Sequence, residues 1–485
     1  MIREAIPEIV TNWIDHQQVN AANHVSFAKY SPADGRLLCQ VSRSDATDVQ
    51  AAVAVARNAW DSWQHVPGVE RGKILFQLAQ ALTAQRVTMA QWVALETGKS
   101  TKDALAETDG AIGLAYFMAA EGQRLYGRTT TSGVKNKLAL TVRQPVGVAG
   151  LIIAANTPIA NLAWKVFPAL VCGNSVVLKA AEDTPLSAWL FAHLSQAILP
   201  PGVLNVIQGL GAEAGRALVA HPDVGVISFT GSTPVGQEIA LVVGKRMAKL
   251  SLELGGKNPL VVYDDADLEL AVKWALLSAF SNAGQRCAAA SRLIVFEAVY
   301  NTFRDLLLQG IQALRVGSND ADDLGPVINE RQLHHILKAI HGAKQRGGVI
   351  LSGGYRLEDE AHRHGYYLAP TLIENLPMSD DISRTELFGP VSCLYAAKNA
   401  QHALALANDC PYGLTAAIHT KNLPNAMQFV MAVQAGVAVI NGGTYGSEAH
   451  MPFGGVKLSG NGSREPGTEA LDVYSHLKDI YVNYG

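Results

Sequence analysis

The chain has 485 residues, 48% apolar and 17% charged, with a net charge of −3. That balance excludes intrinsic disorder and allows about three domains with ample core and no need of disulfides or metals. The 39 Lys and Arg set against 42 Asp and Glu leave no electrostatic footprint for nucleic acid or an anionic membrane.

The opening MIREAIPEIV carries Glu4 and Glu8 where a secretory leader would be apolar, so no leader is expected. Residues 44–63 repeat apolar side chains at helical spacing after a Ser/Asp-rich start. Arg71 to Leu95 predicts one or two further helices, and residues 128–144 a β-ribbon. From Val146 the pattern changes. VGVAGLIIA, NSVVLKA, VLNVIQG and VGVISFT read as short buried strands. Helices between them begin at Pro158, Pro185 and about Ala212, and another opens at Ser232. Strands alternating with helices predict a doubly wound parallel sheet, which binds ligands at the carboxyl ends of its strands. The apolar tract from Pro145 to Leu178 is broken by Asn156, Asn161, Lys165 and Asn174, so no membrane span is expected. After Gly255, PLVVY, RLIVF and VILSG with intervening helices predict a second α/β region. Residues 317–327 and 353–366 read as surface loops, and the tail 469–484 as β-rich with little core of its own.

Several motifs fail on inspection. ETGKST (96–101) resembles half a phosphate loop, but Val93 stands where the first glycine belongs and no strand precedes it. No G-x-G-x-x-G follows a strand. His334, His335 and His341 fit the solvated face of an amphipathic helix rather than a metal site. Ser475 and Lys478 match S-x-x-K only by chance. The five cysteines are sparse and odd in number, which predicts reduced thiols and a cytoplasmic setting.

Other segments carry more. FTGSTPVG (229–236) places Gly231 and Ser232 between a strand end and a helix start, where backbone N–H groups and the helix dipole favour an anion. The ordinary alternative is a helix cap at Ser232. NAGQRC ends at Cys287, and a lone cysteine is more often buried and inert than nucleophilic. LELGGKN sets Glu253 before two glycines. NTP sets Asn156 just past an apolar strand. VLKAAEDTP and ELFGPV set Lys179, Glu182, Glu386 and Phe388 in loops at strand ends.

Taken together and in this order, these segments resemble the aldehyde dehydrogenase superfamily. With PVGVAG, AWKVFPAL and MPFGGVKLSG, the likeness runs from about residue 31 to the C-terminus. The resemblance implies a Rossmann-like cofactor domain (1–125 and 146–253), a catalytic α/β domain (254–460) and a small β oligomerisation arm (126–145 and 461–485). A poorly cored tail would then be stable only when added to another subunit's sheet. It also implies oxidation of an aldehyde to the acid with reduction of NAD, NADP being the other candidate. Cys287 would be the nucleophile, Asn156 the oxyanion donor and Glu253 the base that hydrolyses the thioester. Enzymes of this superfamily that pass the acyl group to coenzyme A lack that Glu. Ser232 and Gly231 would meet the pyrophosphate, and Lys179 and Glu182 the adenosine ribose. Phe229 and Val235 would flank the adenine, with Gly211 and Ile152 beside it. Glu386 and Phe388 would hold the nicotinamide end. A carboxylate at Glu182 favours NAD.

The family's Pro-Trp-Asn-Phe-Pro is here Ala154-Ala155-Asn156-Thr157-Pro158, a smaller and more polar wall. Arg286 directly precedes the nucleophile, where it would lower the thiol pKa, hold a substrate carboxylate, or point away. Succinate-semialdehyde enzymes carry an Arg six residues before the nucleophile, and Ser281 stands there instead. The C-terminal wording is most similar to ketoglutarate-semialdehyde and related enzymes, which implies a small oxo-acid substrate and a homo-oligomer. An aromatic aldehyde dehydrogenase, a cofactor-free cysteine esterase or amidase, and a scaffold without catalysis remain as alternatives.

Overall fold

The computed structural model describes residues 6–485. Two seven-stranded sheets form its centre. In the first, the strands run Lys249–Glu253, Val224–Thr230, Val148–Ile152, Ser175–Lys179, Leu204–Ile207, then the hairpin Asn12–Ile14 and Gln17–Val19. The five main strands are parallel; Asn12–Ile14 pairs antiparallel to Leu204–Ile207, and Gln17–Val19 antiparallel to Asn12–Ile14. The chain winds outward from Val148–Ile152 on one side, then returns to its other side with Val224–Thr230. Strand order therefore reverses between these two neighbours, and a ligand crevice belongs at their carboxyl ends. Asn156 and Ser232 follow those two ends.

The buried strands are short and β-branched, as a sheet covered on both faces requires. Helices Pro158–Val171 and Pro185–Ser195 pack on it with almost no exposed side chains. The predicted helix at 44–63 is Ala46–Trp63, closed by an Asp45–Asp48 capping box. Arg71 to Leu95 resolves into Gly68–Ala84 and Arg86–Thr97, broken at Gln85. Helix Thr101–Glu121 was not anticipated. The helix expected from Ala212 opens as a wide turn over Gly211–Gly215 before Arg216–Ala220.

The second sheet runs Val349–Ser352, Thr371–Glu374, Val391–Ala397, Ala290–Phe296, Asn258–Val262, Thr415–His419, Val437–Ile440. All its pairings are parallel except that of the edge strand Val349–Ser352. The chain passes from the last strand of the first sheet, ending at Glu253, to Asn258 of the second through Leu254–Lys257. The carboxyl edge of one sheet thus faces the amino edge of the other.

The ribbon forms from Thr129–Thr131 and Lys137–Pro145. The tail Ser475–Asn483 pairs antiparallel with all of Lys137–Pro145. The expectation that the tail needs another subunit's sheet is corrected: its own chain supplies the first partner. Just before it, Ala470, Leu471, Val473 and Tyr474 are buried in the core of the first domain. Glu465 anchors that return. Its carboxylate accepts from Lys165 Nζ at 2.8 Å, Ser228 Oγ at 2.8 Å and Tyr474 OH at 3.0 Å. Lys165 and Glu465 are both closed off from solvent.

Removing one partner of a buried pair leaves an uncompensated charge and costs about 3–5 kcal/mol. Lys165→Ala is expected to lower the urea midpoint correspondingly; an unchanged midpoint would mean the pair is not sealed from water.

Candidate active site

The loop carrying Cys287 begins with an unusual backbone. Asn282, Ala283 and Gly284 all have positive φ, at 54°, 53° and 64°. Alanine is costly in that region, and such a turn persists only when its surroundings over-determine it. At Gly284 a Cβ would sit 2.2 Å from the Gly389 carbonyl oxygen, so only glycine fits. Hydrogen bonds fix the rest. Gln285 donates to the Pro326 carbonyl at 3.2 Å and accepts from Ile328 N–H at 2.8 Å. Asn258 Nδ2, at the start of its strand, donates to the carbonyls of Cys287 at 2.8 Å and Ala289 at 2.9 Å.

Asn156 comes from the first sheet and meets this loop. Its Nδ2 donates to the Gln285 carbonyl at 3.0 Å. Its own carbonyl accepts from Lys99 Nζ at 2.7 Å. Lys99 is buried and paired with Glu107 at 2.6 Å. Glu107 Oε1 accepts from Ile159 N–H at 3.0 Å, in the first turn of the helix that follows Asn156. ETGKST therefore supplies a buried support for Asn156, and its lysine does not face a nucleotide. Lys99 stands in the sequence only as part of ETGKST, and Glu107 has no signature there, because Lys99 acts on a target 57 residues away.

Two cavities meet at Cys287. One of about 390 Å³ is lined by Gly231, Ser232, Glu253, Gly255, Glu386 and Phe388. The other, of about 630 Å³, is lined by Lys102, Arg286 and Tyr445 among others. Cys287, Asn156, Thr157, Ala160, Trp164 and Phe453 line both. Cys287 and Arg286 both line the larger cavity.

The carboxylates here are held in their neutral range. Glu253 is buried, and neither carboxylate oxygen has a hydrogen-bond partner. Burial, reinforced by Glu465 and opposed by Lys165 and Arg464, raises its pKa well above the usual carboxylate range. Burial also raises Glu386, to about 7, against the pull of its 3.0 Å bond from Gly256 N–H and of Lys257. The Cys287 thiol is pushed up to about 12 by burial, then by Glu386 and Glu253, while Arg286 works the other way. A lowered thiol pKa is not what the free protein provides.

The remaining residues separate into groups. Lys179, Glu182 and Gly211 come together: Glu182 Oε2 accepts from Gly211 N–H at 2.9 Å and lies 3.8 Å from Lys179 Nζ. Ser232 occupies the N-cap position of helix Thr233–Lys245, but its side chain makes no capping bond, so the hydroxyl is free toward the crevice. Val235 stands exposed on the next turn. Phe229 and Ile152 are buried in the core. The Phe229 ring packs so closely under Gly231 that a Cβ there would lie 2.3 Å from it. Phe388 has a φ of 54°, and Gln332 Nε2 donates to its carbonyl at 3.2 Å and to that of Leu387 at 2.6 Å. Gln332 and His335, on helix Glu330–Gln345, also line the smaller cavity. Helical periodicity places His335 on a solvated face, and it is exposed; only the fold brings that face to the crevice.

Because only the thiolate alkylates, iodoacetamide modification of Cys287 in the free protein should rise about tenfold per pH unit between pH 7 and 9. A plateau below pH 8 would contradict the raised thiol pKa.

The aldehyde dehydrogenase family model matches residues 19–480. Alpha-ketoglutaric semialdehyde dehydrogenase of Bacillus subtilis is 37% identical over 475 residues, covering 97% of each chain. Human retinaldehyde dehydrogenase 3 is 36% identical over 482 residues, covering 98% of this chain and 93% of that one. A crystal structure of Staphylococcus aureus betaine aldehyde dehydrogenase with NAD+ superposes with a TM-score of 0.96 at 32% identity, covering 98% of this chain and 94% of that one. A match that spans both sheets and the Cys287 loop leaves one conclusion: this chain belongs to the aldehyde dehydrogenase family.

Proposed function

We propose that the protein oxidises a small semialdehyde, an oxo acid, to the dicarboxylic acid with NAD, and hydrolyses its own thioester. The observation that carries this is the position of Cys287 on the shared wall of two cavities, with an unpartnered Glu253 carboxylate in one of them. The aldehyde enters from the larger cavity. The Cys287 thiol gives up its proton to solvent in the cavity, and the sulfur bonds to the aldehyde carbon. Asn156 has given one amide N–H to Gln285 and keeps its second for the oxyanion, together with the Cys287 backbone N–H. NAD, when bound, supplies the hydride acceptor. Cys287 is then a thioester, and ionised Glu253 draws a proton from the water that attacks it, releasing the acid.

The crevice suits NAD on its own chemistry. The Glu182 carboxylate is held between Gly211 N–H and Lys179, ready for ribose hydroxyls and repellent to a 2′-phosphate. Ser232 keeps a free hydroxyl at a helix N-terminus for the pyrophosphate. Glu386 and Phe388 border the nicotinamide end. Phe229 and Ile152 support the adenine side from the core, and Val235 covers it.

The semialdehyde reading draws on the Bacillus subtilis relative's name and on the small, polar Ala154–Thr157 wall. Identity alone does not select it, since a retinaldehyde enzyme scores almost as high. We further infer a homo-oligomer that covers the arm, whose outer strand exposes Leu477, Tyr481 and Val482. The division into a cofactor domain (1–125 and 146–253), a catalytic domain (254–460) and an arm (126–145 and 461–485) would be modified at its last boundary: the segment before Ser475 joins the cofactor domain's core, and Ser475–Asn483 joins the ribbon in the arm. Five unpaired cysteines suit a cytoplasmic enzyme.

Cys287→Ala is expected to abolish aldehyde-dependent NADH formation. Glu253→Gln should leave a single-turnover burst but slow steady turnover by roughly 10²–10⁴-fold. Because Glu253 must be ionised and burial holds it protonated, wild-type steady turnover should keep rising with pH through neutrality. A rate already level at pH 6, or a Cys287→Ala protein with full turnover, would refute this reading.

A further inference from the structure

We propose that the Arg286 guanidinium, resting on the Tyr445 ring, is the subsite for the distal carboxylate of an oxo-acid substrate whose aldehyde carbon meets Cys287. This rests on Cys287 being the nucleophile. The guanidinium carbon lies 4.8 Å from the Tyr445 ring centroid, in the range of a cation–π contact. Arg286 Nε is buried and has no hydrogen-bond partner. Among the described residues no carboxylate forms an ion pair with it, although the cavity holds several. Those are engaged elsewhere: Glu107 with Lys99, Asp323 with Arg315, and Asp320 and Asp322 with backbone N–H groups. Asp103 acts on the far partner, Tyr445, whose phenol it helps to raise after burial.

A partly buried guanidinium with an unused donor edge, in a cavity, awaits an anion. Its planar fork matches a carboxylate in two parallel hydrogen bonds. Tyr445 contributes by holding that fork flat, which reduces the side-chain entropy lost on binding. Arg286 and Cys287 line the same cavity, so a substrate that reaches both carries its aldehyde and its carboxylate on one chain. The subsite thus selects oxo acids over alkanals of equal length. It is built on a different position from Ser281, whose hydroxyl donates to the Leu277 carbonyl.

The test is steady-state kcat/KM with NAD for 4-oxobutanoate and butanal, in the full chain and its Arg286→Gln and Arg286→Lys variants. The wild type should prefer the oxo acid. Arg286→Gln should shrink the oxo-acid-to-alkanal ratio roughly 10- to 100-fold, mainly through KM, and Arg286→Lys should restore part of it. An equal fractional loss on both substrates, or an unchanged ratio, overturns the subsite. A second readout needs no variant: butanoate, but not butanamide, should slow iodoacetamide alkylation of wild-type Cys287. Equal protection by both also overturns it. If butanal and 4-oxobutanoate are oxidised equally well through Cys287, the subsite fails while the aldehyde-oxidation reading stands. If neither is oxidised, both fail.

Discussion

Everything at the centre of this protein depends on a hydrogen-bond knot between two loops from different sheets. Asn156, leaving the first sheet, gives its amide to the Gln285 carbonyl, two residues before Cys287. Lys99 and Asn282 both donate to the Asn156 carbonyl, at 2.7 and 3.4 Å. Without this knot the two sheet edges would be free to part. The thiol would then lose its place on the shared wall of the two cavities. The knot also accounts for the cost accepted nearby. Ala283 stays in a left-handed conformation because Asn282, Gln285 and Asn258 between them leave the loop no other path.

The second constraint is electrostatic. Burial at a closed sheet junction makes ionisation difficult for Cys287, Glu253 and Glu386 together. Burial raises all three, and charge on Glu386 or Glu253 further raises the cost of ionising the Cys287 thiol. Ionising the thiol is therefore hardest when those carboxylates are already charged. The buried Lys165–Glu465 pair stands behind Glu253 and acts on it from both directions, Glu465 raising and Lys165 lowering its pKa. The same pair secures the chain's return from the catalytic domain to the arm. Stability and acid–base tuning are therefore carried by one side-chain network.

Much of this was legible in the sequence. The alternation from Val146 to Glu253 set out the first sheet, since buried parallel strands have a compact β-branched signature. The loops at strand ends held the reactive residues for the same reason. What could not be read was non-local. Thr101–Glu121 is a 21-residue helix whose Gly110 and Gly113 blur its periodicity. Lys99 looked like part of a failed phosphate loop until the fold placed it against Asn156. His335 looked solvated, and only the packing of Glu330–Gln345 brings it to the crevice. Phe229, read as an adenine contact, packs under Gly231, a closeness that only the fold reveals. The tail's pairing with Lys137–Pro145 joins residues more than 300 apart.

The central claim is that the sulfur of Cys287 forms a covalent acyl bond during turnover. Intact-protein and peptide mass spectrometry of Glu253→Gln, quenched in acid after mixing with NAD and an aldehyde, tests it directly. The account predicts a mass gain equal to the aldehyde less two hydrogens, on the peptide bearing Cys287 and lost with hydroxylamine. Accumulation of NADH with that peptide unmodified, or with the acyl group on another residue, would contradict it.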